Sequence, residues 1–344
     1  MKHFAKTVVA ASLTMAFAAP AFAVAPVTVY GKANVSIQAA DDKGTDGSEM
    51  EVKSNASRFG IKGGVELMDD LQAIYKYEFQ INLTDDNAGN SSDDNLKSRN
   101  QYVGLKGFFG EAVIGRNDTM LKQSQGKVDV FGDLEGDIKT LFQGENREGD
   151  TISYKTPKFN DFQLGFTVVS EDNSAQEDDN GDTNFGFSSA ITYGDKKLKK
   201  SDLYAGLAMD SQVDGGWDII RATVGYKWED LKLGFIVQNQ EQDKDWGGNG
   251  EDQTGFMLSA AYTIDAWTLK AQYQTMEDAD GAGKYSEGND ASAISVGADY
   301  KLGKPTKVYA YYTMRDWDDA EYENAGGDME DDESYFGIGL EHKF

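Results

Sequence analysis

The stretch "LQAIYKYEFQINL", residues 71–83, decides the fold. Leu71, Ala73, Tyr75, Tyr77, Phe79, Ile81 and Leu83 fall at alternate positions, with Gln72, Lys76, Glu78, Gln80 and Asn82 between them. A period of two puts the apolar set on one face of a strand and the polar set on the other. The pattern returns in "DFQLGFTVV" (161–169), "LKLGFIVQ" (231–238) and "WTLKAQYQ" (267–274). No helical periodicity of comparable length competes with it.

The connections between these runs also alternate. Short ones, such as "ND" (160–161), "ED" (229–230) and "DA" (265–266), trade places with long acidic ones, such as "DDNAGNSSDDN" (85–95) and "WDDAEYENAGGDMEDDE" (317–333). An antiparallel meander with tight turns at one rim and long loops at the other has this form. The runs predict sixteen strands, centred near residues 33, 58, 77, 102, 113, 153, 166, 188, 207, 222, 236, 259, 272, 296, 310 and 339.

Strand length chooses the solvent. Residues 217–228 form a twelve-residue run, roughly 40 Å long at ~3.3 Å per residue. Tilted by ~45°, it rises about 28 Å, which matches the ~25 Å apolar band of an outer-membrane barrel. Soluble strands usually stop at ~17–20 Å. Tyr30, Trp217, Trp228, Tyr262 and Trp267 stand near predicted strand ends, where amphipathic rings favour the headgroup level. A soluble sandwich with core aromatics is the competing architecture. Uniformly apolar single faces in a chain of hydrophilic total composition favour a barrel that is greasy outside and polar inside. Such a barrel must close, because lipid offers no partner to a strand edge.

The formal charge is −26, and there are no cysteines. Residues 1–23 combine a basic start, a short apolar run and Ala21-Phe22-Ala23, and read as a cleavable secretory signal. Their removal takes away Lys2 and Lys6 and no acid, so the expected mature domain, residues 24–344, carries −28. Its acidity argues against nucleic acid, whose phosphates are bound by Lys and Arg. No mature stretch approaches 18 consecutive apolar residues, which excludes helical spans.

In order, "SNASRFGIKGGVELMDDLQAIYKYEFQ" (54–80), "RNQYVGLKGFFGEAVIGRND" (99–118), "NREGDTISYKTPKFNDFQLGF" (146–166) and the terminal "YFGIGLEHKF" (335–344) resemble the Gram-negative general porins along the chain's length. The resemblance implies an all-β, sixteen-stranded antiparallel transmembrane barrel with a long third loop folded into the lumen. Between Arg116 and Asp150 the alternation indeed fails for about 30 residues, a length at which unstructured connections are uncommon and usually functional.

The site residues follow from the same resemblance. Asp129 and Asp133, in "DVFGD", match the acids of the third loop, with Glu135 and Asp137 beside them. Arg58, Arg99 and Arg147 match the basic wall opposite, and the parity of Phe59 and Ile61 puts Arg58 and Lys62 in the lumen. Arg99 shares phase with Val103 and Leu105 unless a bulge intervenes. Arg116 matches an arginine nearer the subunit contact. Phe336, Ile338, Leu340 and Phe344 resemble the signal read by the outer-membrane insertion machinery, with His342 a departure from it.

Enzymatic chemistry finds little support. His342, the single mature histidine, lies on the predicted lipid face, which removes the base of a Ser-His-Asp set. No cofactor is expected. The acidic runs at 177–182 and 278–283 read as solvated loop charge, with weakly bound divalent cations shared with lipopolysaccharide as the alternative. The expected function is a water-filled channel for passive diffusion of ions and small hydrophilic solutes, cation-preferring, in the outer membrane. A substrate-selective channel and a non-conducting structural or adhesin barrel are the alternatives. A homotrimer, in contact with lipid and lipopolysaccharide, is what the resemblance implies.

Overall fold

The computed structural model describes residues 27–41, 48–84, 95–173, 181, 184–246, 248, 250–277, 290–317 and 332–344. The expected signal segment and the acidic runs at 177–182 and 278–283 fall largely or wholly outside these residues. The strands are β1 (Thr28–Asp41), β2 (Glu49–Ser54), β3 (Arg58–Met68), β4 (Leu71–Ile81), β5 (Leu96–Gly107), β6 (Gly110–Asp118), β7 (Arg147–Lys155), β8 (Phe162–Val169) and β9 (Gly186–Gly194). They continue as β10 (Leu203–Ser211), β11 (Trp217–Trp228), β12 (Leu231–Gln242), β13 (Gln253–Ile264), β14 (Trp267–Met276), β15 (Ala291–Lys301), β16 (Thr306–Trp317) and β17 (Asp332–Lys343).

From β3 to β17 each strand pairs antiparallel with its neighbours in sequence, and β1 pairs with β17, Ile37 opposite Ile338. That last pairing closes the barrel and leaves no long edge. β2 and β3 both pair with β1, so they are two halves of one broken stave and the barrel has sixteen. The break falls at Asn55, Ala56 and Ser57, where Ala56 takes a left-handed φ of 48°. Its polar groups are satisfied internally: Asn55 donates to Ser36 Oγ at 2.8 Å, and Ser57 Oγ accepts the Asn34 amide at 2.9 Å.

Alternation sets the two faces. Along β11 and β12, Ile220, Val224, Tyr226, Leu233, Phe235 and Val237 are exposed on the outer surface, while Arg221, Thr223, Ile236 and Gln238 are buried inside. The β17 residues Phe336, Ile338 and Leu340 are likewise exposed, and His342 follows on that face, with Nδ1 at 2.8 Å from Thr306 Oγ1. Phe344 exchanges backbone hydrogen bonds with Gly31 at 2.9 and 3.1 Å. Its ring lies where a Gly31 side chain would stand, 2.2 Å from an added Cβ, so a larger residue there would displace the ring.

One rim carries tight turns. Residues 69–70, 108–109, 229–230 and 265–266 link strands directly, with left-handed φ at Asp70, Glu229 and Asp265, as short hairpins require. Trp228, Tyr262 and Trp267 are exposed at this end, as the girdle requires, together with Phe108 and Phe159. Tyr30 and Trp217 do not join them. Tyr30 turns inward and donates to Glu78 Oε2 at 2.8 Å. Trp217 packs on the inner cluster of Leu121, Ala208 and Ile219. Near a strand end either face is within reach, and both rings find partners inside.

Candidate functional site: the loop inside the barrel

The segment from Thr119 to Asn146, between β6 and β7, lies against the inner wall. It opens with a short helix α1 (Met120–Ser124), capped by the Thr119 side chain at the Lys122 amide. α1 packs on β9 and β10, and Tyr204 donates to the Ser124 carbonyl at 2.7 Å. The chain then crosses to the far wall. Phe131 and Ile138 are fully buried there.

Glutamines hold the crossing segment to the wall. Gln272 accepts the Val130 amide at 3.0 Å and donates to the Gly136 carbonyl at 2.8 Å. Gln240 accepts the Gln143 amide at 3.1 Å, and Gln274 donates to Thr140 at 3.1 Å. These belong to the polar phase of "LGFIVQNQ" and "LKAQYQ", so alternation alone aims them inward. Glycines give the loop room: an added Cβ at Gly234 would stand 2.7 Å from Val128, and one at Gly297 3.0 Å from Phe131.

The four acids of the loop divide into two pairs. Asp133 bonds Lys32 Nζ at 2.6 Å and pairs with Arg58. Glu135 pairs with Lys53, bonds Arg315 at 2.8 Å, and accepts from Gln38 at 3.2 Å. Burial works to raise both carboxyls, but the cations outweigh it. Arg58 and Lys32, with Arg99 further off, hold Asp133 well below the usual carboxylate range. Lys53 and then Arg315 do the same for Glu135.

Asp129 and Asp137 act on the loop itself. Asp129 accepts the Phe131 and Ile138 amides at 2.9 and 3.3 Å. Asp137 accepts the Asp133 and Lys139 amides at 2.7 and 3.0 Å. Both close the knuckle that presents Asp133, whose φ of 71° is left-handed. Burial first, then the neighbouring Asp137, push the Asp129 carboxyl up to about 7.

The wall residues are also spread. Arg99 reaches the lumen, bonding Glu78 at 3.0 Å and Gln80 at 2.9 Å. The required bulge is present: Tyr77 pairs with Gln101 but Phe79 with Ser98, so β5 carries an extra residue. Arg147 bonds Asp118 at 2.7 Å and Asn100 at 2.7 Å. Lys62 stands apart, exposed and 5.0 Å over the Tyr30 ring. Arg116 lies near Asp214 in the 212–216 connection, where burial raises the acid's pKa and Arg116 opposes the rise.

Several members of the network were not singled out from sequence: Lys32, Lys53, Glu78, Asp118, Arg221 and Arg315. Parity was the available signal, since a charge inside a spanning strand belongs in the lumen. Arg221 is the most consequential. It is fully buried and donates to Gln238 at 2.6 Å, Glu145 at 2.6 Å and the Gln143 carbonyl at 2.9 Å, so it anchors the returning limb of the loop.

A closed sixteen-stave barrel with an apolar exterior, a charged interior and a loop drawn into the lumen defines an outer-membrane channel protein. Comparison with known proteins agrees. The family model described as "Gram-negative porin" matches residues 8–320. The major outer membrane protein P.IB of Neisseria meningitidis is 24% identical, the alignment covering 97% of this chain and 98% of that protein. The anion-selective porin from Comamonas acidovorans superposes with a TM-score of 0.74 at 21% identity, covering 93% of this chain and all of that one. A trimer form of OmpT from Vibrio cholerae gives 0.66 at 19% identity, again covering 93% of this chain and all of that one. The chain belongs to the Gram-negative porin family and is an integral protein of the outer membrane.

Proposed function

We propose that the protein is a water-filled channel for passive diffusion of ions and small hydrophilic solutes, narrowed by the loop between β6 and β7. The pairing of Asp133 and Glu135 with wall cations carries this reading. On it, Asp133, Glu135, Arg58, Arg99 and Arg147 line the constriction, and Asp129 and Asp137 hold the loop that forms it. Lys62 lies on the approach from the tight-turn rim.

The ion preference is cationic and comes from the loops. In the described lumen, acids and bases largely cancel: Asp133, Glu135, Glu78 and Asp118 sit beside Lys32, Arg58, Lys53, Arg315, Lys76, Arg99 and Arg147. Glu341, Glu51 and Glu333 make further contacts to the same cations. The surplus negative charge therefore lies in the long connections, whose effect reaches ~10 Å at 0.1 M salt and ~3 Å at 1 M. Cation preference should be clear at low salt and fade as salt rises. Reversal potentials in planar bilayers at several salt concentrations test this. Anion preference at low salt refutes the selectivity claim, and absence of conductance favours a non-conducting barrel.

The chain works as a homotrimer on this reading, supported by the trimeric relative, with Arg116 near the contact. Residues 1–23 leave on export, with cleavage near Ala23. Phe336, Ile338, Leu340 and Phe344 present the terminal pattern to the insertion machinery.

A further inference from the structure

We propose that the recess between α1 and the β7–β10 wall binds a small organic anion, one or two carboxylates on a short apolar body. The inference rests on the channel reading and adds a solute class to it. The recess has a volume of about 230 Å³ and opens beside the tight-turn rim. Lys155, Lys158 and Lys196 line it, and Met120, Ala190 and Tyr204 contribute apolar surface.

What singles out this recess is an excess of positive charge with no close ion pair. Among the described residues no carboxylate lies within 4.0 Å of these three amines, in a chain whose acids outnumber its bases 59 to 33. Glu111, directly across from Lys155 on β6, acts on it from beyond ion-pair distance and makes its close pair with Lys106, at 3.5 Å. Asp195 lines the recess too; its carboxylate accepts the amides of Lys197, Lys199 and Lys200 at 3.1, 3.0 and 3.1 Å and offsets part of the Lys158 charge, which leaves the recess net positive. Lys158 is positioned by a 2.6 Å bond to the Gly194 carbonyl. Among the described residues Lys32, Lys53, Arg58, Arg99, Arg147, Arg221, Lys270 and Arg315 each have a carboxylate within 4.0 Å. Three ammonium groups beside one lining carboxylate, none of them in an ion pair within 4.0 Å, favour an incoming anion.

The apolar part of the lining selects among anions. Taken together, the exposed lining of the recess is slightly more apolar than polar. A hydrocarbon body gains from covering such surface, whereas inorganic phosphate gains nothing there.

Lysine acetylation on the full-length, detergent-solubilised protein tests the site independently of conductance. Succinate at about ten times its Kd should slow modification of Lys155 and Lys196 roughly tenfold, while Lys199, outside the recess, reacts unchanged. Succinamide should not protect, and phosphate should protect less than succinate. In bilayers the double variant Lys155→Gln/Lys196→Gln should keep its KCl conductance and lose succinate-induced current noise. Absence of protection with normal KCl conductance overturns the site and leaves the channel reading standing. Equal protection by phosphate overturns the organic-anion assignment.

Discussion

Removing Arg221 tests what holds the inner loop in place. Its guanidinium is fully buried and bonded to Glu145, Gln143 and Gln238. Arg221→Met keeps the volume but leaves the largely buried Glu145 carboxylate without its main partner. Breaking a buried pair from one side typically costs about 3–5 kcal/mol, because the remaining charge stays desolvated. The cost falls on the limb 143–145 and not on the strand ladder, so the barrel should still assemble. The lumen should change instead: a detached limb predicts noisier, more variable single-channel currents and faster protease cleavage within residues 141–146. Lys122 lies near Glu145 and limits the loss. The double variant Arg221→Met/Glu145→Gln removes both charges and should recover most of the stability and quiet current. Wild-type noise and proteolysis in the single variant would refute the anchoring role. So would a double variant no better than the single one.

Asp129 gives a pH test. Its folded pKa is raised to about 7, above the unfolded value of about 4, so the folded loop holds the proton more tightly. The wild type should lose stability as pH rises from about 4 to 7. Asp129→Asn cannot ionise, so its melting temperature relative to wild type should be higher at pH 8 than at pH 5. The opposite trend would refute the raised value. Gly234→Leu should push Val128 off the wall and alter conductance with little effect on barrel assembly, read by single-channel recording and by heat-modified gel mobility. Deleting Phe344 removes the ring over Gly31 and both closing hydrogen bonds. Its first effect should be slower assembly in the outer membrane, measured by pulse-chase, and full-rate assembly would refute the terminal signal.

The strands were legible because lipid outside and water inside impose a strict period of two on every stave, and all sixteen expected centres fall in or beside an observed strand. The terminal strand was readable for the same reason. What alternation does not encode was harder. Arg99 depended on a single inserted residue in β5. Tyr30 and Trp217 lie at strand ends, where inner partners decided their direction. Within the inner loop, Asp129 and Asp133 are the same residue type four positions apart. One accepts backbone amides and the other meets cations, because a left-handed turn at Asp133 rotates the chain between them. The side chains of Asp129 and Asp137 close that turn, and the glutamines and glycines of the opposite wall, more than 90 residues away, fix where the loop lies.

The chain has no native cysteine, so a single introduced thiol reports only its own surroundings. Lys127 is exposed on the inner loop and lines a cavity of about 520 Å³ with Lys32 and Arg58, while Ile338 is exposed on the outer face of β17. In bilayer recordings, a charged water-soluble thiol reagent should cut the current of Lys127→Cys and leave that of Ile338→Cys unchanged. Equal responses from the two positions, or no current from either protein before reagent, would contradict a water-filled lumen narrowed by this loop.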